Sequence, residues 1–208
     1  FAQGLPGGEL GLGILAWRQQ DLKAMVAYSS ISHMGVVLLG IATLNVTGLT
    51  GAVMQMVAHG LTAGLLFMIV GLLYQRTHSR DLADYGSLLG RAPRFAFFVA
   101  FALLAAIGLP GSAGFIAELH VLIGGFGSWG GWVLIICLGM LIGAAYGLRV
   151  IGRLCQKGEP MALGDMTRTE LSAAVILALC IVFLGLWPAP LLTLVAGSVA
   201  QVGHLFGT

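Results

Sequence analysis

The chain has 208 residues, of which 58% are hydrophobic and only 9% charged, with a mean hydropathy of +0.98 and a formal net charge of +2. A soluble domain carries about 25% charged residues, so composition excludes a water-soluble globule and leaves a chain embedded in a lipid bilayer. The sequence contains no Gly-rich nucleotide loop, no cysteine cluster, no catalytic-serine motif and no basic–aromatic patch for nucleic acid. The expectation is therefore no cofactor and no metal on this chain, and no nucleic-acid partner. Cys137, Cys155 and Cys180 stand apart without ligand spacing and are expected to be packing residues.

In chain order, the opening FAQGLPGGEL has neither the charged start, apolar core and cleavage site of a signal peptide nor an initiator Met. Residue 1 is accordingly read as other than a natural beginning. Residues 10–19 look like the tail of one span, too short to cross alone. A span needs about 20 apolar residues, and five segments qualify: 24–44, 49–75, 95–126, 131–154 and 169–187. The third is interrupted by GLPGSAG at 108–114, where Pro110 lacks a backbone donor and glycines surround it. It is predicted to be a broken helix, 95–107 and 114–126. The fold class is thus all-α, a polytopic membrane helix bundle with one discontinuous helix.

The ten basic residues set the orientation. Arg18 and Lys23 precede the first full span, Arg76, Arg80, Arg91 and Arg94 lie between the second and third, and Arg149, Arg153, Lys157 and Arg168 lie between the fourth and fifth. The opposite connections have none, so the basic side is expected to be cytoplasmic and the C-terminus to face outward. Trp17, Trp129, Trp132 and Trp187 fall near span ends, as interfacial anchors do. The stretch 189–208 is expected to lie on the outer surface.

Once loops are set aside, one carboxylate remains inside a span: Glu118, in GFIAELHVL. An ionisable group at membrane depth is costly and marks function by default, and unwound backbone there is tolerated where it lines a watery cavity or transport site. His33 should lie roughly 14 Å from the basic end of its helix and His59 roughly 15 Å from the opposite end of the next, which places both near mid-depth beside Glu118. Two imidazoles and a carboxylate in one layer are what a proton relay needs, because histidine exchanges protons near neutral pH. The competing reading is that each histidine only ties neighbouring helices together.

His120, two residues after Glu118, is turned about 200° away and is read as a packing or second-path residue. Ser29, Ser30, Ser32, Gln55 and Thr62 could hold water beside the histidines, although Ser and Thr often bond only their own helix backbone. His78 and His204 are placed outside the spans, in solvent. Lys23 is read as a snorkelling anchor paired with Asp21, with a proton-uptake charge as the alternative.

Four runs carry a family resemblance: QQDLKAMVAYSSISHMGVVLLGI (19–41), GAVMQMVAHGLTAGLLFMIVGLLYQRTHSRDL (51–82), GLPGSAGFIAEL (108–119) and LGLWP (184–188). Together they resemble the antiporter-like subunit M of bacterial NADH:quinone oxidoreductase, complex I, the counterpart of mitochondrial ND subunit 4. The resemblance implies a second inverted repeat over 21–155, preceded by a partial span and loop at 1–20 and followed by a final span and outer tail at 156–208. It implies that Glu118 is the terminal proton-transfer residue and that His33 and His59 belong to a hydrated central axis. Lys23 matches a boundary lysine that the family does not generally use in pumping, and His120 stands where an apolar residue is usual.

A first half-channel with paired Glu and Lys, and a central Lys, would lie upstream of residue 1. The implied partners are neighbouring antiporter-like subunits L and N, the bilayer, protons and water. FMN, iron–sulfur clusters and quinone would sit on other subunits of the complex. The implied location is the bacterial inner membrane. A subunit of a cation/proton antiporter or membrane-bound hydrogenase of the same superfamily, or a scaffold without transport, remain alternatives.

Overall fold

A computed structural model describes residues 18–86, 88–154 and 163–205. The partial span up to residue 17 with Trp17, the segment with Cys155 and Lys157, and the last three residues lie outside them. The helices are α1 (Leu22–Ala42), α2 (Val46–Thr77), the single turn α3 (Leu88–Arg91), α4 (Pro93–Ala106), α5 (Ala113–Trp129), α6 (Leu134–Leu154), α7 (Arg168–Leu186) and α8 (Ala189–Leu205). Short 3-10 turns at Leu82–Tyr85 and Gly130–Val133 lead into α3 and α6.

Four helical stretches are long and apolar enough to cross a membrane: Leu22–Ala42, Val46–Thr77, Cys137–Leu154 and Arg168–Leu186. The discontinuous pair α4 and α5 occupies the remaining predicted span, 95–126. The expected class, an all-α polytopic bundle with one broken helix, is the observed one.

Each boundary has a local cause. The Asp21 carboxylate accepts a hydrogen bond from Ala24 N at 2.9 Å and starts α1, and Asn45 Oδ1 does the same for α2 from Gly48 N at 2.8 Å. α2 stops where His78 enters the left-handed region at φ 52°. Pro93 opens α4, where its missing donor costs nothing. Thr167 and Glu170 form a reciprocal capping box at the start of α7.

The break between α4 and α5 is six residues, 107–112. Gly108 and Gly111 take φ of 81° and 95°, a region that glycine enters without steric cost. Local hydrogen bonds hold the turn, with Ile107 N donating to Leu103 O at 3.0 Å, Leu109 N to Leu104 O at 3.0 Å and Ser112 N to Leu109 O at 2.9 Å. Gly185 of α7 seats directly on the backbone of Gly111 and Ser112, so no side chain fits there.

α2 is the central helix and packs on α1, α4, α5, α7 and α8. Its tightest approach is to α5. A Cβ on Gly124 would stand 2.5 Å from Gly48 N, and one on Gly51 would stand 2.6 Å from Val121 N. A polar clasp closes the same end: Asn45 Nδ2 donates to Gly124 O at 2.8 Å and Ser128 Oγ donates to Thr43 O at 2.7 Å.

At the other end, Arg76 pairs with Glu170 at 2.6 Å and its guanidinium lies 4.7 Å from the centre of the Phe95 ring. Arg94 Nη1 donates to Met166 O at 3.1 Å, and Arg149 and Arg153 share a cleft with Gln20 and Asp81. The basic residues named here therefore gather at one end of the bundle.

Two details differ from expectation. The segment after residue 188 is not only a surface tail, because α8 packs against central α2 and buries Val199. Cys180 is exposed on α7 rather than packed, since α7 turns an apolar face including Ile176, Leu179 and Phe183 outward. Cys137 is half-buried. His78 is exposed as expected, while His204 falls inside α8.

Gly124→Val should destabilise the purified protein by about 1–3 kcal/mol, the usual range for overpacking a close contact. Gly127→Ala in the same helix meets nothing within 4 Å and should leave the midpoint of thermal unfolding in detergent unchanged.

Candidate functional site

Glu118 is buried on α5, at 8% exposure. Its carboxylate folds back onto the break, where a Cβ on Gly108 would lie 2.5 Å from Oε2. The other oxygen, Oε1, lies 3.9 Å from Nδ1 of His33 on α1. The His33 ring in turn lies 5.4 Å from that of His59 on α2, centre to centre, with the planes tilted by 37°. His59 Nε2 is hydrogen-bonded to Ser30 Oγ at 2.8 Å. Carboxylate, two imidazoles and hydroxyl thus form one continuous series across α5, α1 and α2. The short turn between α1 and α2 makes an antiparallel hairpin that brings the histidines to the same level.

A cavity of about 30 Å³ borders Glu118 and His33, lined also by Ser29, Ser32 and Tyr146. A water needs about 10–15 Å³ of such space, so the cavity admits one or two. The 3.9 Å separation is beyond a direct hydrogen bond. Gly139, Gly143 and Gly147 of α6 line the same cavity at four-residue intervals, with Gly147 seated against Ile107 at its edge.

Tyr146 was not anticipated from sequence. It is 5% exposed and lines the cavity beside Ser29. The signal available was a hydroxyl in an otherwise apolar run, three residues before Arg149. Among the hydroxyls that were singled out, Ser29 and Thr62 donate to their own helix, to Val26 O and Ala58 O. Gln55 is 3% exposed, and its Oε1 has no hydrogen-bond partner among the described residues.

His120 does not join the series. Its Nδ1 is bonded to Ile116 O of its own helix at 2.8 Å, and its Cβ faces Gly51 of α2. Lys23 is exposed in the first turn of α1. The expected Asp21–Lys23 pair is not formed, because Asp21 is committed to capping α1. Among the described residues no group of three or more His, Cys, Asp or Glu could hold a metal ion.

Histidine can take a proton on one ring nitrogen and release it from the other. An imidazole pair ending at a carboxylate in a water-sized cavity is therefore suited to moving protons. A membrane helix bundle whose one buried carboxylate among the described residues sits at a helix break has the architecture of ion-translocating membrane proteins.

Residues 10–143 match the family of NADH:quinone oxidoreductase/Mrp antiporter transmembrane proteins, and the chain belongs to that family. It is 38% identical over 194 residues to NADH-quinone oxidoreductase subunit M of Rickettsia conorii, a match covering 91% of this chain and 39% of that protein. Over 198 residues it is 39% identical to the subunit M of Pseudomonas aeruginosa, covering 93% of this chain and 38% of that protein. Its fold matches a chain in respiratory complex I from Thermus thermophilus with bound NADH, with a TM-score of 0.92, 27% identity, and coverage of 100% of this chain and 45% of that one. The chain thus spans about two fifths of the length of the curated relatives it matches.

Gly108→Ala forces a side chain into a left-handed position and against the Glu118 carboxylate. On the proton-transfer reading of this site, proton flux through the native complex should fall by up to about a hundredfold, the scale on which a 1 Å misplacement acts. Gly152→Ala, with nothing within 4 Å, should leave the flux unchanged.

Proposed function

We propose that this chain supplies a proton half-channel of a proton-translocating membrane subunit in NADH:quinone oxidoreductase, respiratory complex I. The observation that carries the reading is the series Glu118, His33, His59 and Ser30 across three helices. The relatives named subunit M support the complex.

In this reading a proton passes between His59 and His33 and then, through bridging water in the cavity, to Glu118 at the break. Glu118 is the terminal proton-transfer residue, His33 and His59 are the relay, and Tyr146 lines the cavity beside Ser29. Lys23 and His120 stand outside the path. Residues 21–155 form the antiporter-like repeat, preceded by the partial span of 1–20 and followed by the final span and tail of 156–208. The neighbouring subunits are of the L and N type, and FMN, iron–sulfur clusters and quinone lie on other subunits, so the electron chemistry occurs elsewhere in the complex. The membrane is the bacterial inner membrane, with the basic end in the cytoplasm and the C-terminus outside.

A cation/proton antiporter subunit is the second reading, favoured by one observation. The fold also matches a chain of the Mrp complex from Dietzia sp. with a TM-score of 0.84 at 19% identity. Sodium-dependent proton flux in vesicles would distinguish it.

Glu118→Gln keeps the side-chain shape but removes the titrating group. It should lower NADH-driven proton translocation in reconstituted vesicles by about a hundredfold or more, the scale of a positioned acid–base group, while assembly persists. Unchanged translocation would sink the assignment. Tyr146→Phe should give a smaller, severalfold loss in the same assay, without loss of assembly.

A further inference from the structure

A second and larger cavity, about 240 Å³, opens at the basic end of the bundle between α1 and α2, remote from the proton series. We propose that it is a binding site for an anionic phospholipid of the adjoining leaflet, with the phosphate held by Lys23 and Arg80 and an acyl chain laid along α2. This does not rest on the proton-transfer reading.

The geometry is built by the backbone. Leu22 N donates to Arg80 O at 2.9 Å and Leu82 N donates to Gln20 O at 2.8 Å, which staples the start of α1 to the segment that follows α2. That staple puts Lys23 and Arg80 on one cavity mouth. Arg80 is held in place by stacking its guanidinium 4.6 Å from the centre of the Tyr74 ring.

Three carboxylates lie nearby, but none lines the cavity. Asp21 accepts from Ala24 N, Asp81 accepts from Ala83 N, and Asp84 accepts from the Ser79 hydroxyl. The charged side chains that line the cavity, Lys23 and Arg80, are both cations.

Below the mouth the wall changes character. Phe67, Gly71 and Tyr74 recur on one face of α2, so the stripe descends about 10 Å from the cationic level into the apolar part of the bundle. At Gly71 a built Cβ meets nothing within 4 Å, so the groove is open there. Cations above an apolar, aromatic-walled groove match a headgroup phosphate above an acyl chain. Basic pockets between membrane helices are known to select such headgroups.

The test uses the protein in its native complex, extracted in mild detergent, with retained phospholipid read by native mass spectrometry and rebinding measured with phosphatidylglycerol. Each basic residue near a headgroup is worth about fivefold in affinity. Lys23→Gln or Arg80→Gln should therefore weaken rebinding about fivefold, and the double variant about twenty-fivefold.

Gly71→Leu fills the groove without touching either cation and should abolish rebinding, while inorganic phosphate still binds. Unaltered thermal stability of that variant identifies the effect as local. Equal binding of phosphatidylcholine would overturn the role of charge. Equal binding of inorganic phosphate and phosphatidylglycerol to the unaltered protein would overturn the lipid and leave a phosphate site. Cross-linking of Lys23 to another polypeptide segment, with no phospholipid retained, would show a protein occupant and overturn the proposal.

Discussion

The close approach of α2 and α5 governs the rest of the structure. In lipid there is little hydrophobic drive between helices, so association depends on packing and on small residues that let backbones meet. Gly48, Gly51 and Gly124 provide that contact, and the Asn45–Gly124 and Ser128–Thr43 hydrogen bonds close its end. With α5 held against α2, and α1 paired to α2 by a short turn, the buried face of α5 is directed at the α1–α2 hairpin. Glu118 reaches His33 of α1 from that face, whereas His120 sits against Gly51 of α2 with its ring bonded to its own helix.

The helix break and the carboxylate work as one unit. An interrupted helix at membrane depth frees backbone groups that need partners, and in the turn of 107–112 Ile107, Gly108, Leu109 and Ser112 donate to nearby carbonyls. The glycines that permit the turn have a second effect. Gly108 has no side chain where the Glu118 carboxylate rests, and Gly185 lets α7 close over Gly111 and Ser112. Gly139, Gly143 and Gly147 of α6 line the remaining space, a cavity of water size. Backbone irregularity, carboxylate and cavity therefore coincide for steric reasons that can be traced to individual glycines.

Charge is sorted along the bundle. Near the relay the polar groups are few: Ser30 is bonded to His59, and Ser29 and Thr62 to their own helices. At the basic end, Arg76 links α2 to α7 and Arg94 links α4 to the start of α7. The Arg76–Glu170 pair retains 23% and 21% exposure of its two side chains, so its contribution is about 0–1 kcal/mol, as for other solvated pairs. Its effect is to fix the relative heights of the helices, which places the relay in the interior and the cations at the boundary.

Composition and hydropathy by themselves determined that the chain is a membrane helix bundle, because nothing else accommodates so few charges. Pro110 with its flanking glycines determined the break, because neither proline nor left-handed glycine continues a helix. Glu118, His33 and His59 could be singled out because ionisable groups are costly in lipid wherever they point. Their mutual contact was decided only by tertiary structure: helices that are apolar all round carry no amphipathic stripe to say which faces meet. For the same reason sequence reasoning missed Tyr146, which matters only because α6 brings it to the cavity beside Ser29. It also assigned Lys23 to Asp21, a neighbour in sequence whose carboxylate caps the helix, while the fold brings Lys23 and Arg80 to one cavity at the open end of the α1–α2 hairpin.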